Sequence, residues 1–532
     1  MPSPAFTTRL YSIWGALLVI LVFGSWLRLD QISGQWLTDD EWHALHQIIE
    51  GRSYADLASM VGEADFSIPQ TLAYKFLAEH GGLSEIRMRL PMLLAGLALV
   101  GGGAWWAWHR FGALVGGSFG LLLAISPLLV NYSRTARPYA LTVLLAWAAL
   151  LALDRWSQER RTGLGSVYAG CAILACWLHM AVAPFILAPL GWVLLGELRA
   201  AWRTRDLSRA GPAALLGLTV AAGIMVLAIR PIWLSRTVFV KRIGSDLPTF
   251  DTYLGVWYLW LGTSSTAVVV AGLLLAACGL PLLVRRNPRL LAFAALGLVA
   301  TVSSIYVTRP SWVQNVLTFG RYLLPAQPLL LLCVALGIAR LLAPLSHPVL
   351  RAAGAVLLPI VFLIGSPYPE LLRHPNNFTL HYLYQFDYRN ERNPVREGFA
   401  GLPVHSFWRR FGEVTPGSLR FAVAGHGLES FTVLDARWQE EHHQEVIAAQ
   451  LSGYCGVASY PGEALERDGI YLRNAVTLAD AGALARKQVD YLVFDRQGAR
   501  NVESCIAHFR SEHGAPEVDD DRLVAFKLKP AR

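Results

Sequence analysis

From the N-terminus to about residue 365, this sequence returns again and again to long apolar runs that are nearly free of charge. Crossing the hydrocarbon core of a bilayer takes ~20 apolar residues. About eleven runs approach that length: 11–28, 89–108, 113–131, 138–154, 165–180, 182–198, 211–229, 266–284, 289–306, 322–342 and 349–365. No soluble core hides so many, so the expectation is a polytopic α-helical membrane protein whose first partner is the lipid bilayer. The 54% hydrophobic content agrees, as does a charged fraction of 16% against roughly 25% in globular chains. A net charge of +8 would suit a nucleic-acid binder. Here the basic residues sit in short clusters between the runs, where they orient helices, so no nucleic-acid partner is expected. The first run continues into "WLRLDQ" with no small-residue cleavage site, and residues 11–28 are read as a retained span.

Lysine and arginine in short loops mark the cytoplasmic side. With the N-terminus inside and the runs alternating, the inside loops are "HRFG", "DRWSQERR", "RAAWRTRDLSR", "RRNPR" and "ARLLAPLSHP", all of them basic. The outside segments are then 29–88, short links near 132–137 and 179–181, 230–265, 307–321 and everything after about 366. This predicts a bacterial inner-membrane, multi-pass protein with an extracytoplasmic C-terminal part.

Residues 366–532 change character. Apolar runs shorten to strand length in "LRFAVAG", "FTVLDA" and "DYLVFD", alternating with helical-looking "EEHHQEVIAAQL" and "LADAGALARKQV". The pattern predicts a small soluble α/β domain. The domain division is therefore 1–365, with outer loop 29–88, and 366–532. Cys171, Cys176, Cys278 and Cys333 fall in apolar runs and read as packing residues, with no metal-ligand spacing. Cys455 and Cys505 lie in the polar part, where an external location leaves them able to pair or to stay free.

The first outer loop opens with "DDEWHAL". Trp42, Leu45, Ile48, Ile49 and Leu57 are spaced for an amphipathic helix along the membrane surface. Asp39, Asp40 and Glu41 stand at its start, where acids cap backbone N–H groups or serve as a general base. Further on, "GEADFSIPQ" places Asp65 ahead of Pro69, which opens a second short helix or marks a plain turn. Two separated carboxylate sites are what a base with its helper, or a metal ligand set, requires.

Basic residues mark the other outer segments. "NYSRTARPYAL" carries Arg134 and Arg137, and "TRPSWVQNVLTFGRYLLPAQP" carries Arg309, Arg321 and Tyr322. Arginine at this boundary clamps phosphate through its two-pronged guanidinium, or it contacts a headgroup or an acid. Arg230, Arg236, Lys241 and Arg242 form a basic, aromatic-spaced stretch that suits an anionic headgroup or a solvated linker. His179, at an outer turn between two runs, is a structural hydrogen-bonder or a ligand. Acids in one loop and bases in the others suit transfer from a phosphate leaving group: a carboxylate deprotonates the attacking hydroxyl and cations stabilise the departing phosphate. No P-loop, dinucleotide fingerprint or zinc-protease motif is present, and the inside loops are too short for a nucleotide site.

Three segments in order carry a resemblance: "DDEWHAL" after the first run, "YSRTARPYAL", and "RYLLPAQP" opening a late run. Over roughly residues 10–365 the chain resembles bacterial integral-membrane glycosyltransferases of the C-type fold. These are similar to protein O-mannosyltransferases, to the lipid A aminoarabinose transferase and to galacturonosyl transferases of lipopolysaccharide. The resemblance implies an inverting transfer from a polyprenyl-phosphate-linked sugar to a hydroxyl of an envelope glycan, lipid or protein. It implies Asp40 as base, with Asp39 and Glu41 beside it, and Arg134, Arg137, Tyr139, Arg309, Arg321 and Tyr322 at the donor phosphate. Asp65 and His179 fall to the acceptor or second-acid site. Where the mannosyltransferases have Asp-x-His-Pro-Pro, this chain has Ser67 and Ile68 for the His and first Pro. No cofactor is firmly implied; some members use a divalent metal, and the metal requirement stays open here. Two alternatives remain: a lipid-carrier flippase, which would bury charges along its spans, and a non-catalytic envelope-assembly subunit working through residues 366–532.

Overall fold

The computed structural model describes residues 4–30, 32, 35, 41, 46–49, 52–62, 67–81, 85–235, 247–373, 403–424, 431–447, 488–496 and 502–528. The chain begins with helix α1 (Pro4–Leu29). Three helices follow in the segment 29–88: α2 (His46–Ile49), α3 (Tyr54–Ser59) and α4 (Ile68–Gly81). Next come α5 (Glu85–Phe111), α6 (Ala113–Ile125), α7 (Pro127–Ser133), α8 (Tyr139–Glu159), α9 (Thr162–Leu178) and α10 (Ala183–Thr204). Helix α11 (Gly211–Ile224) runs through a π-turn at Met225–Ile229 into α12 (Arg230–Leu234). The membrane part ends with α13 (Phe250–Leu261), α14 (Thr266–Arg286), α15 (Pro288–Thr308), α16 (Val316–Tyr322), α17 (Gln327–Leu342) and α18 (Pro348–Ile360).

Every predicted apolar run falls on a helix. Among the described residues, seven helices are long and apolar enough to cross a membrane, by length and composition; α6 with α7 forms an eighth, bent by 60°, and three apolar helices are shorter. Large apolar side chains such as Leu215, Leu218 and Val299 lie exposed, as lipid-facing positions require. Helix α13 falls in a segment expected to be an outer loop. Its apolar stretch spans 12 residues, too few for a run, and a reciprocal Thr249–Thr252 capping box starts it.

The bend between α6 and α7 has a local cause. Pro127 lacks an N–H and drives Ser126 to an extended conformation, φ −63° and ψ 115°. The break strips the carbonyls of Leu123, Ala124 and Ile125 of their helical donors. Side chains replace them: Arg28 donates to Leu123 O at 3.2 Å and Ala124 O at 3.0 Å, and the Tyr368 hydroxyl to Ile125 O at 2.9 Å. Burial pushes the Tyr368 hydroxyl pKa up, against the lowering pull of Arg28 and Arg134, so it stays a donor. Elsewhere α14 and α17 approach backbone to backbone: a Cβ on Gly279 would sit 2.0 Å from Cys333 O, and one on Gly337 2.0 Å from Leu275 O.

The chain forms two compact units. One gathers Met1–Asp30, Ser59–Pro69 and Arg89–Glu370; the other gathers Gln31–Ala58, Gln70–Met88 and Leu371–Arg532. In the second unit, the single amphipathic helix expected after Asp39 is instead broken into α2 and α3. Ser53 caps α3: its Oγ accepts the Asp56 N–H at 3.2 Å while Asp56 Oδ2 accepts the Ser53 N–H at 3.3 Å. Ile48 and Leu57 are buried, as their spacing suggested. The Tyr54 hydroxyl donates to Glu79 at 2.6 Å and Lys75 pairs with Glu79 at 3.0 Å, tying α3 to α4. Pro69 does lie in the first turn of a helix, α4.

The C-terminal part contains α19 (Tyr368–Arg373), α20 (Ser406–Arg409), strand β1 (Arg420–Ala424), α21 (Phe431–His442), β2 (Glu445–Ile447), β3 (Tyr491–Asp495), α22 (Val502–His513), β4 (Val518–Asp519) and β5 (Leu523–Lys527). The five strands form one sheet, order β2-β1-β3-β5-β4. β1 pairs parallel with β2 and β3; β5 pairs antiparallel with β3 and β4. Trp408, Phe421, Trp438 and Tyr491 fill the core on one face. Two expectations are corrected here. "FTVLDA" opens helix α21, because six helix-compatible residues continue from it and Arg437 pairs with Glu441 at i+4, 3.0 Å. "EEHHQEVIAAQL" is divided: His443 at φ 54° ends α21, and Glu445–Ile447 become β2. "LADAGALARKQV" lies almost wholly outside the described residues. Cys176 and Cys333 are buried as expected, Cys171 is half-buried, and Cys278 is exposed on α14; all four are free. Cys455, and with it any pairing to Cys505, lies outside the described residues.

Candidate functional site

The two basic segments singled out in the sequence meet inside the first unit. Asn315 starts α16 by accepting the Leu317 and Thr318 N–H groups at 2.9 and 3.1 Å. That helix ends in Arg321 and Tyr322, and Pro325 follows in a 3₁₀ turn. The Trp147 indole of α8 donates to Pro325 O at 3.0 Å. The Gln327 amide donates to Ser126 Oγ at 2.9 Å and Trp260 O at 2.8 Å. These buried bonds fix "RYLLPAQP" against the bend and against α8, whose first residue is Tyr139.

An array of rings results. Tyr132 lies 4.7 Å from Tyr139, Tyr139 lies 5.0 Å from His179, and His179 lies 6.4 Å from Tyr322, all between ring centroids. The Arg321 guanidinium stands 5.8 Å from the Tyr139 ring and 5.6 Å from the Tyr322 ring. His179 reaches this position because α9 stops at it, with extended backbone at φ −159°. Tyr132 and Tyr139 are buried, whereas His179, Arg321 and Tyr322 are half-buried. The array thus runs from buried rings to partly exposed ones. Two aromatic faces hold the arginine by cation–π attraction and orient its donors. A half-buried, oriented guanidinium beside a histidine and a phenol suits an oxyanion such as a phosphate.

Of the residues expected at the donor phosphate, Tyr139, Arg321 and Tyr322 come together, and His179, assigned to the acceptor side, joins them. Arg137 is buried just ahead of α8. Arg134 is fully buried, and its Nη1 donates to Leu27 O at 3.2 Å and Asp30 O at 2.8 Å, at the end of α1. Arg309 stands apart: it is exposed, at φ 43°, closing α15 through its own N–H to Ile305 O at 2.8 Å. Glu41 is fully buried in the second unit. Asp39, Asp40 and Asp65 lie outside the described residues, as do Arg236, Lys241 and Arg242. Among the described residues no group of three or more His, Cys, Asp or Glu is placed to hold a metal ion.

Three participants went unnoticed in the sequence. Tyr132 stood within a noted segment but was not separated from its neighbours. Arg28 and Tyr368 act on carbonyls roughly a hundred or more positions away, a relation that no local spacing reveals.

No protein-family model and no curated protein sequence matches the chain. Solved structures do show a likeness. ArnT from Cupriavidus metallidurans, in the apo state and bound to undecaprenyl phosphate, aligns over 98% of both chains at 14% identity and a TM-score of 0.43. The Archaeoglobus fulgidus oligosaccharyltransferase in complex with Zn and sulfate aligns over 90% of this chain and 68% of its own, at 12% identity and a TM-score of 0.38. At these values the likeness is one of general chain course.

Proposed function

We propose that the protein is an inner-membrane glycosyltransferase that moves a sugar from a polyprenyl-phosphate carrier to a hydroxyl of an envelope glycan, lipid or protein. The observation that carries this reading is the convergence of Arg321, Tyr139, Tyr322 and His179, drawn from three distant segments, into one half-open array. Asp40 removes the proton of the acceptor hydroxyl, with Asp39 and Glu41 beside it. The acceptor oxygen attacks the anomeric carbon as the bond from that carbon to the phosphate oxygen breaks. The bonding electrons leave with the phosphate, which becomes a monoester of higher charge. Arg321 and Arg137 meet that growing charge, and His179 and the tyrosine hydroxyls donate hydrogen bonds to it. Donors aimed where charge develops accelerate such a step more than donors aimed at the ground state. The reaction faces the outside of the membrane, and residues 366–532 hold an extracytoplasmic α/β domain.

The test is release of polyprenyl phosphate by the purified full chain from a panel of polyprenyl-phosphate sugars, with envelope extract as acceptor source. Release by the wild type and its loss in Asp40→Asn support the reading. Tight binding of polyprenyl phosphate without release from any donor overturns it in favour of carrier translocation.

A further inference from the structure

Three membrane helices of the first unit leave a gap that their own side chains do not fill. α1 and α18 each pack on α6. A Cβ on Gly120 of α6 would meet Ile20 Cδ1 at 3.3 Å, and one on Gly24 of α1 would meet Ala124 Cβ at 3.3 Å. On its other flank α6 is tied to α18, where Ser118 Oγ donates to Ala355 O at 2.9 Å. Between these contacts runs a cavity of about 600 Å³. Val19 and Phe23 of α1, Leu114 and Leu121 of α6, Val356 of α18 and Leu363 just beyond it line the walls. No lining residue carries a charge, and only Trp108 has a polar atom in its side chain. Gly15 and Gly117 also line the cavity, and a Cβ on either would meet nothing within 4 Å. The neighbouring glycines of α6 are tightly covered: a Cβ on Gly116 would lie 2.7 Å from Trp108 Cβ, and one on Gly120 2.6 Å from Ala104 Cβ. The gap is therefore local to one stripe of the helix.

Water finds no hydrogen-bond partners in such a cavity, whereas hydrocarbon regains the missing contacts. The lining runs from Ala113 to Leu121 along α6 and from Ala352 to Ile360 along α18, about 12 Å in each case, close to the depth of one leaflet of a ~30 Å core. At about 30 Å³ for each water-sized group, the volume takes roughly twenty methylenes, one acyl chain and not two. One end of the groove is also basic. Trp108, Ala113 and Ala352 line that end, and Arg110 and Arg351 adjoin them in the sequence. Arg110 donates to the Arg286 carbonyl, Arg286 Nη1 to Phe111 O at 3.4 Å, and Arg351 Nη2 to Ala343 O at 3.2 Å. These acceptors are neutral and leave the three charges in place. Asp154 of α8, buried and bonded by Gln158 at 3.1 Å, offsets part of the charge of Arg110. Segments 103–125 and 340–352 contain no acid. Basic pockets between membrane helices suit anionic headgroups.

We propose that this groove binds one anionic phospholipid of the membrane, with an acyl chain along α6 and the phosphate at Arg110 and Arg351. The site is separate from the ring array and independent of the transfer reaction. Its basic end adjoins Ala113, the first residue of α6, whereas Tyr132 lies on α7 beyond the other end. α6 has 13 residues and is about 20 Å long, so a carrier phosphate held at Arg321 does not reach Arg110. The occupant thus comes from the surrounding bilayer.

The experiment uses the full chain, stripped of lipid in detergent, with phosphatidylglycerol and phosphatidylcholine of identical acyl chains as probes. Native mass spectrometry gives affinity and stoichiometry, and thermal unfolding gives stability. The wild type should bind one phosphatidylglycerol, about five- to thirtyfold more tightly than phosphatidylcholine, at roughly fivefold per arginine. Gly15→Leu with Gly117→Leu should fill the groove and abolish that saturable site, and the lipid-free protein should unfold no earlier than the wild type, because leucine is the better helix former. Arg110→Gln and Arg351→Gln should each bring phosphatidylglycerol toward the phosphatidylcholine affinity, and they carry the test if the filled variant fails to fold. Arg321→Ala should bind phosphatidylglycerol as the wild type does. Equal affinity for the two lipids in the wild type overturns the proposal, as does undiminished binding in the filled variant. Loss of the site in Arg321→Ala would place the phospholipid in the ring array and overturn it too. One-for-one displacement of phosphatidylglycerol by undecaprenyl phosphate, with both lost in the filled variant, would make the groove a carrier-tail site instead.

Discussion

Arg321 stands between the faces of Tyr139 and Tyr322, and that placement makes its contribution separable from that of the loop acids. A charge-assisted contact is worth about 1.5–3 kcal/mol, or roughly ten- to a hundredfold in affinity. Arg321→Ala should weaken undecaprenyl phosphate by that range in a titration, and Arg321→Lys should fall between, since lysine keeps the charge and loses the fork. Asp40→Asn should leave that affinity alone and slow sugar transfer by roughly a hundred- to ten-thousandfold, the span of a general base. An Asp40→Asn protein at full rate would move the base to Asp39 or Glu41. The residue types of this site were legible in the sequence. Tyr139, Arg321, Tyr322 and His179 each sit at the end of an apolar run, where a charge or ring is conspicuous. The difference between Arg134 and Arg321 was not legible. Both are arginines at a membrane edge, and only the carbonyls of Leu27 and Asp30 separate a helix-closing arginine from one facing an opening.

At the scale of elements, run length carried the reading of the membrane helices, because lipid leaves the backbone no alternative to helix over such stretches. Short elements were harder. Strands β1 and β3 were readable as compact apolar runs, whereas the β-branched start of α21 reads as a strand until its next six residues are counted. The stretch from Trp42 to Leu57 has the spacing of one helix, yet the Ser53–Asp56 box starts a new helix inside it. The bend at Pro127 was hidden within a single apolar run, and its stability rests on Tyr368 as well as Arg28. Tyr368→Phe removes the donor to the buried Ile125 carbonyl and should cost about 1–3 kcal/mol, read as a lower unfolding temperature of the detergent-solubilised chain. In the C-terminal sheet, α21 ends in His442, stacked 5.0 Å from Trp408. Its Nδ1 accepts the Gln444 N–H at 2.9 Å, so the ring is neutral, and burial holds its pKa down at about 3 against an ordinary 6.5. Between those values the unfolded chain binds the proton and the folded one does not. Stability from this group is therefore complete above about pH 6.5 and declines by up to about 1.4 kcal/mol per unit as the pH falls toward 3. The protection of the β1 and β3 amides against hydrogen exchange, taken relative to the intrinsic rate at each pH, should fall below pH 6 in the wild type and respond less in His442→Phe.

The whole molecule has a direction, and its packing ties the basic loops to one end. Arg110, in the last turn of α5, bonds the Arg286 carbonyl at the end of α14, and Arg286 Nη1 returns to Phe111 O at 3.4 Å. Arg160, after α8, pairs with Glu197 near the end of α10. Arg203 and Arg205 close that same helix. The ring array lies instead at the start of α8 and the end of α9. Arginine-rich short loops stay on the cytoplasmic side, so this arrangement predicts that the array opens outward. The seven long helices, the bent pair and the three shorter apolar helices cover each apolar run. If all of them cross, the two ends of the chain lie on opposite sides, and the sheet that follows is outside. Single cysteines separate the possibilities. Ser208, exposed beside Arg205, should react as Ser208→Cys with a membrane-impermeant maleimide only after the cells are broken. Ser418, exposed just before β1, should react as Ser418→Cys in intact spheroplasts. Cys278 lies within a membrane helix and should stay silent in both, so a parent chain with Cys455 and Cys505 replaced by serine serves as the blank. The reverse pattern would put the aspartates of the first outer loop in the cytoplasm, on the wrong side for an envelope acceptor, and the transfer reaction would have to be abandoned with the orientation.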